Sequence, residues 1–208
     1  MSKTKQKIIQ SAVVLFNQNG VVNTRIQDIA AEAGISPGNL TYHYKTKRAL
    51  MQSVFRYMIK TMEQMALGNQ LFVEGAEGMS VAKNFLEFQV KFRFFYLDTL
   101  EIIRAFPEIK VSYQEQVERE INFIKNLLYF AAGKGYLIPE PIEGHYDALA
   151  QNAWTILNFR LTKREIIGKE GFGIEEGLKE LTALYYPYFT EKGAAYFDTL
   201  KSMEAMDF

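Results

Sequence analysis

The stretch Thr24 to Lys47, TRIQDIAAEAGISPGNLTYHYKTK, constrains this chain more than any other. It holds two helix starts and one helix stop. Thr24 reads as an N-cap, with Gln27 three residues later at the spacing of a capping box. Ile26, Ile29, Ala30 and Ala33 form one apolar stripe. Gly34 can take the left-handed conformation that ends a helix. Ser36 reads as a second N-cap, and Pro37 occupies the first helical position, where a missing N–H costs nothing. A short helix over 38–44 carries Asn39, Thr41, Tyr42 and His43, and Thr46 caps the helix after it. Two capped helices around one Gly are the pattern of a helix-turn-helix, whose second helix enters the DNA major groove.

Charge points the same way. The 208 residues carry 24 basic and 24 acidic side chains, yet residues 1–60 hold nine Lys/Arg against two Asp/Glu, a net +7. The remainder is net −7. A basic module joined to an acidic one predicts that the first faces a polyanion and the second does not. The absence of Cys excludes disulfides, thiol catalysis and thiolate metal sites. The apolar run IIQSAVVLF is too short and too interrupted for a signal peptide, and no window is apolar enough to span a membrane. A cytoplasmic protein without membrane association is expected.

Helical periodicity recurs along the whole chain. Residues 3–19 form an amphipathic helix closed by Gly20, which completes a three-helix core with the helix-turn-helix. A long helix runs from Thr46 to about Leu67, with Leu50, Val54, Tyr57, Met58, Met62 and Met65 along one side, and links the basic to the acidic module. Residues 68–79 contain three Gly and read as a loop. An aromatic helix follows over 80–106 and is stopped by Pro107. Further helices are expected over 112–132, from 145 to about 168, and from 174 to about 203, the last divided at Pro187 and at Gly193. No period-2 alternation is sustained. The fold class is all-α, with about eight to ten helices. The helix-turn-helix domain covers 1–47 and continues into the linking helix 46–67, and a helical domain for ligand binding and dimerisation covers 48–208.

Residues 4–60 resemble the amino-terminal DNA-binding domain of the TetR-type transcriptional regulators. Four pieces carry the likeness: the opening helix ending NQNG, then TRIQDIAAEAGIS, then PGNLTYHY, then KTKRAL. The resemblance implies a homodimeric, usually repressing, DNA-binding protein with double-stranded DNA as partner. It also implies that a small molecule in the second domain releases a palindromic operator. Two positions depart from the common pattern. Thr41 stands where many relatives have Tyr, and Tyr44 where Phe is commoner.

The DNA contacts read from these residues have distinct chemistry. Thr24 and Arg25 open the first helix and can bind a phosphate, with Thr24 also serving as cap. Ser36, Gly38 and Asn39 open the recognition helix. Gly38 lets a backbone approach closely, Asn39 can read adenine, and Thr41 can touch a thymine methyl. Tyr42 and Tyr44 can donate to phosphates, with Tyr44 the one assigned mainly to the core. His43 is a neutral contact to backbone or phosphate, and Lys47 a phosphate contact. Lys45 and Arg48 are either phosphate contacts or solvated surface.

In the second domain an aromatic stripe is either core or ligand box. The resemblance places a pocket among Met58, Met62, Phe88, Phe92, Phe95, Phe123, Leu127, Trp154 and Asn158, suited to an apolar effector. Arg93 or Arg104 could pair with a carboxylate head. By the same resemblance a dimer seam falls on Leu157, Leu161, Leu181, Leu184, Tyr185 and Tyr188, and Trp154 could serve either surface. No cofactor and no metal are expected. Nor is an enzyme: there is no phosphate loop, no H-E-x-x-H motif and no His cluster, and Glu118 and Glu120 lie on helix faces without an evident partner. The alternatives are a dimeric DNA-binding protein without a ligand, or an activator.

Overall fold

The computed structural model describes residues 2–68 and 77–203. Eleven α-helices form among them: α1 Lys3–Asn23, α2 Ile26–Glu32, α3 Pro37–His43, α4 Lys47–Gly68, α5 Glu77–Lys91, α6 Arg93–Leu97, α7 Thr99–Ala105, α8 Pro107–Gly133, α9 His145–Ile166, α10 Ile174–Tyr185 and α11 Glu191–Met203. The fold is all-α. Among the described residues the single β feature is an isolated bridge between Leu137 and Phe189. The loop read at 68–79 lies largely outside the described residues, and its last three residues belong to α5. Packing groups Met1–Gly68 with Phe88–Tyr113, and Asn69–Glu87 with Gln114–Phe208.

The first unit is built around α1. Ile8, Ile9, Ala12 and Phe16 of α1 are buried with Ile29, Ala30 and Leu40 of the helix-turn-helix and with Leu50, Met51 and Val54 of α4. Gly20 takes a positive φ of 73° at the position where the sequence ends the helix, and one more turn continues to Asn23. The Phe16 ring meets Phe94 edge-on at 5.4 Å, and Phe55 lies 5.5 Å from Phe95.

The single aromatic helix expected over 80–106 is three helices. It breaks at Phe92 and Asp98, neither of which is Gly or Pro. The cause of the first break is Asn17 of α1. Its amide donates to the Lys91 carbonyl (2.9 Å), and its oxygen accepts from the Phe94 N–H (3.1 Å). One side chain thus replaces backbone bonds that a continuous helix would make. Asn17→Ala is expected to cost about 1–3 kcal/mol, since both backbone groups lose their partner. A urea melt showing no loss would refute this. Pro107 does not merely stop a helix, because it begins α8. Phe106 before it lies outside the helical region (φ −128°, ψ 79°), which the residue preceding proline avoids.

In the second unit α8, α9 and α10 share apolar faces. Leu86, Ala153, Leu157, Leu178 and Leu181 form one core, and Leu128, Leu137, Tyr146, Leu149 and Ala150 another. Pro187 divides the last helical stretch through a 3-10 turn, Tyr186–Tyr188, as its sequence predicts. Gly193 does not divide α11. It lies under the backbone of Tyr136, where a Cβ would overlap the carbonyl oxygen. The turn 168–173 is held from inside by Arg160 and Arg164, which donate to the carbonyls of Phe172 and Gly173 and of Glu170 and Gly171.

Candidate nucleic-acid interface

The turn between α2 and α3 is set by three local devices. Gly34 has φ +60°. The Gly34 N–H donates to Ala31 (2.9 Å) and the Ile35 N–H to Ala30 (3.0 Å), a Schellman closure of α2. Ser36 then accepts from the Asn39 N–H (3.1 Å) and caps α3. Thr46 does the same for α4 through the Ala49 N–H (3.1 Å).

These caps orient α3. Leu40 and Tyr44 point inward and are buried, while Pro37, Gly38, Asn39, Thr41 and Tyr42 are all exposed. Tyr42 is 83% exposed, an unusual cost for so large a ring on a free surface. Its ring stands edge-on to half-buried His43 at 5.3 Å. Gly38 has no internal reason to be glycine. A Cβ there would meet nothing nearer than the Ser36 hydroxyl at 3.9 Å.

Other expected contacts are placed differently. Thr24 is not the cap of α2. It ends α1, is 1% exposed, and its hydroxyl donates to the carbonyls of Gly20 (2.8 Å) and Leu15 (3.3 Å). Its side chain therefore offers nothing to a phosphate. Arg25 is the N-cap residue, and the Asp28 carboxylate, not Gln27, reaches back to its N–H (3.2 Å). Asp28 also holds the Arg25 guanidinium (3.1 and 3.2 Å), which keeps its carboxyl below the usual range. Tyr44 is core, as read. Burial pushes its hydroxyl up in pKa. The Thr41 hydroxyl donates to the Pro37 carbonyl (2.8 Å). Lys47 is half-buried and gives one donor to the Val22 carbonyl (3.0 Å), and burial lowers its pKa. Arg48 is an intramolecular tie. It pairs with Glu108 (2.9 Å) and donates to the Ala105 carbonyl (3.2 Å), while Gln52 donates to the same Glu108 (2.9 Å).

The candidate ligand residues fall into two sets. Met58, Phe88, Phe92 and Phe95 are buried in the first unit, where Phe88 and Phe92 stand 4.9 Å apart and Phe95 lies 4.9 Å from Tyr113. Met62 is half-buried in the same unit. Phe123, Leu127 and Trp154 are half-buried in the second unit, with Asn158 buried. A polar cluster there escaped the sequence reading. Glu120 accepts from the Trp154 indole N–H (2.9 Å) and from the Gln116 amide (3.1 Å), so it does have a partner. Enclosure by the helices raises its carboxyl above the usual range. The two groups stand 34 residues apart, which no local pattern reveals.

Of the residues assigned to a dimer seam, three are buried within one chain and three are half-buried. Leu157, Leu161 and Leu181 are buried, and Leu184, Tyr185 and Tyr188 pack on the two cores. Helical period identifies a buried face but not what buries it. Phe159, Ile166, Ile167, Phe172 and Tyr186 are the large apolar residues left exposed along 145–188, together with no other on α9 or α10.

Comparison with known proteins decides what kind of chain carries this surface. Residues 54–197 match the family described as "Bacterial transcriptional repressor" (TetR), and residues 8–54 match "Bacterial regulatory proteins, tetR family". The chain belongs to the TetR family. That family is one of bacterial transcriptional regulators. The HTH-type transcriptional regulator RutR of Escherichia coli K12 is 37% identical over 59 residues, 28% of this chain and 28% of that protein. YerO of Bacillus subtilis, also an HTH-type regulator, is 42% identical over 59 residues, 28% of this chain and 20% of its own length. These matches therefore span about a quarter of such relatives. The fold agrees over nearly the whole chain with a TetR-family regulator from Marinobacter aquaeolei VT8, at TM-score 0.83 and 24% identity, covering 97% of this chain and 98% of that one. A gamma-butyrolactone receptor (ArpA-like) superposes at TM-score 0.73 and 18% identity, covering 97% and 96%. Among the described residues no helix of this TetR-family regulator is long and apolar enough to cross a membrane.

Proposed function

We propose that this regulator binds a palindromic duplex site as a homodimer and is released from it by a small organic molecule held in its second unit. The observation that carries the reading is the outward face of α3, where Asn39, Thr41 and Tyr42 are exposed and Leu40 and Tyr44 fix the helix from behind. Asn39 reads a base edge, Thr41 presents its methyl once its hydroxyl is tied to Pro37, and Tyr42, with Arg25, Ser36, His43 and Lys47, meets phosphates. Two copies pair through the apolar residues that a single chain leaves exposed, Phe159, Ile166 and Tyr186 among them. Release by a ligand is supported by neighbours of the same fold: one is a gamma-butyrolactone receptor, and another, from Saccharomonospora viridis, was solved in complex with choline.

Selection of bound duplexes from a random pool tests the central claim, with enrichment of a two-fold symmetric site expected and no enrichment overturning it. Tyr42→Ala should weaken binding to selected and random duplex alike, by about tenfold. Asn39→Ala should instead cost about 1–3 kcal/mol of discrimination on the selected site and little on random duplex. Equal losses on both duplexes for both variants would sink the assignment.

A further inference from the structure

We propose that the second unit carries a recognition site for a protonated amine on an apolar body, built from Glu120 of α8 and Asn158 of α9. This deepens the ligand-release reading and rests on it for the consequence at DNA.

Donors and acceptors do not balance around Glu120. Each oxygen of the Glu120 carboxylate receives one hydrogen bond, from the Trp154 indole N–H (2.9 Å) and from the Gln116 amide (3.1 Å). Both donors are neutral. Arg119, the next residue back, directs its Nε and Nη2 to the Gln116 oxygen (3.2 and 2.9 Å), and its Nη1 stands 4.0 Å from Glu115. A carboxylate accepts about four hydrogen bonds, so half of this one's capacity is open.

Asn158 adds a second, independent sign. It is 6% exposed, its amide donates to the Trp154 carbonyl (2.9 Å), and its oxygen accepts nothing. Buried acceptors in native proteins almost always have a donor, and an orphan is costly to keep. Asn158 follows Trp154 by four residues and so shares the face of α9 from which the indole reaches Glu120. Leu157, beside Asn158, belongs to the apolar core, and half-buried Ile124, one turn beyond Glu120, packs against it.

The complement of this set is a group that brings N–H donors and positive charge together. A protonated primary or secondary amine does both. A carboxylate would set acceptors against acceptors, a quaternary ammonium brings charge without a donor, and an alcohol brings a donor without charge. The carboxylate-bearing effector that Arg93 or Arg104 would suit is disfavoured at this site for the same reason.

Trp154 is the single tryptophan, so its fluorescence reports on the site directly. The full-length protein is titrated with n-decylamine, decyltrimethylammonium, decanol and decanoate below their micellar concentrations, followed by fluorescence and calorimetry. Decylamine is expected to bind about tenfold or more tighter than the other three. Glu120→Gln keeps an acceptor for the indole and should abolish that preference. Asn158→Leu removes the orphan acceptor, so it should raise the melting temperature of the free protein while weakening decylamine several-fold, which a merely structural role would not produce. Decanol or decanoate binding as tightly as decylamine, or a preference that survives Glu120→Gln, overturns the site. Release of a selected duplex is measured in parallel. Glu120-dependent decylamine binding that leaves the duplex bound upholds the site and overturns ligand release. Release by decanoate or decanol without decylamine binding does the reverse.

Discussion

Arg164→Ala is expected to lower the unfolding free energy by about 3 kcal/mol or more, read from the urea midpoint at unchanged slope. Arg164 lies on α9 and is buried. It pairs with Glu176 of α10, which also takes Lys169 at 2.7 Å, and donates to the carbonyls of Glu170 (2.5 Å) and Gly171 (3.3 Å). Removing the guanidinium leaves those carbonyls without a donor and opens a void under the turn. Gly173, at φ +56°, packs so tightly on this group that a Cβ would overlap it. Arg160, one turn earlier, holds Phe172 and Gly173 from the same side, and burial next to Arg164 pushes its pKa down to about 10. Lys163→Ala should serve as the contrast. Its side chain is 48% exposed and pairs with Glu180, so its loss should cost about 0–1 kcal/mol. Equal effects of the two substitutions would contradict the assignment of the turn's stability to the buried arginine.

What the sequence reveals and what it hides follow one division: local chemistry against distant partners. Gly34, Ser36, Pro37 and Thr46 act as their types predict, because caps are satisfied within a few residues. Thr24 looks like the same chemistry and is not. Its hydroxyl turns back to Gly20 and Leu15, and the α2 cap moves one residue on. The break at Phe92 was invisible because its cause, Asn17, lies 74 residues from Lys91 in the chain. Periodicity likewise marked Leu157, Leu161 and Leu181 as apolar without saying that their own chain covers them. In the binding surface, composition and charge pointed to α3 as a whole. Tyr44, assigned mainly to the core from the sequence, is buried at 6% exposure, and Tyr42 stands out at 83%.

Gly38→Ala should separate folding from DNA binding. Gly38 sits in the first turn of α3 with no positive φ, and an added Cβ meets only the Ser36 hydroxyl at an ordinary 3.9 Å. Alanine is the better helix former by about 0.5–1 kcal/mol, so the variant should melt at the same temperature or a little higher. Nothing inside the chain asks for glycine there. The methyl group would instead stand on the outward surface, beside exposed Asn39 and at the end of α3 that first meets a duplex. A methyl group forced between helix and backbone strains the contact as overpacking does in a core, and binding should fall by about tenfold or more on selected and random duplex alike. Tyr42→Ala, which removes a contact rather than adding an obstruction, should resemble it in affinity. If Gly38→Ala binds DNA as tightly as the parent, close backbone approach at this position is wrong, and the recognition helix must lie with its middle, not its first turn, against the duplex.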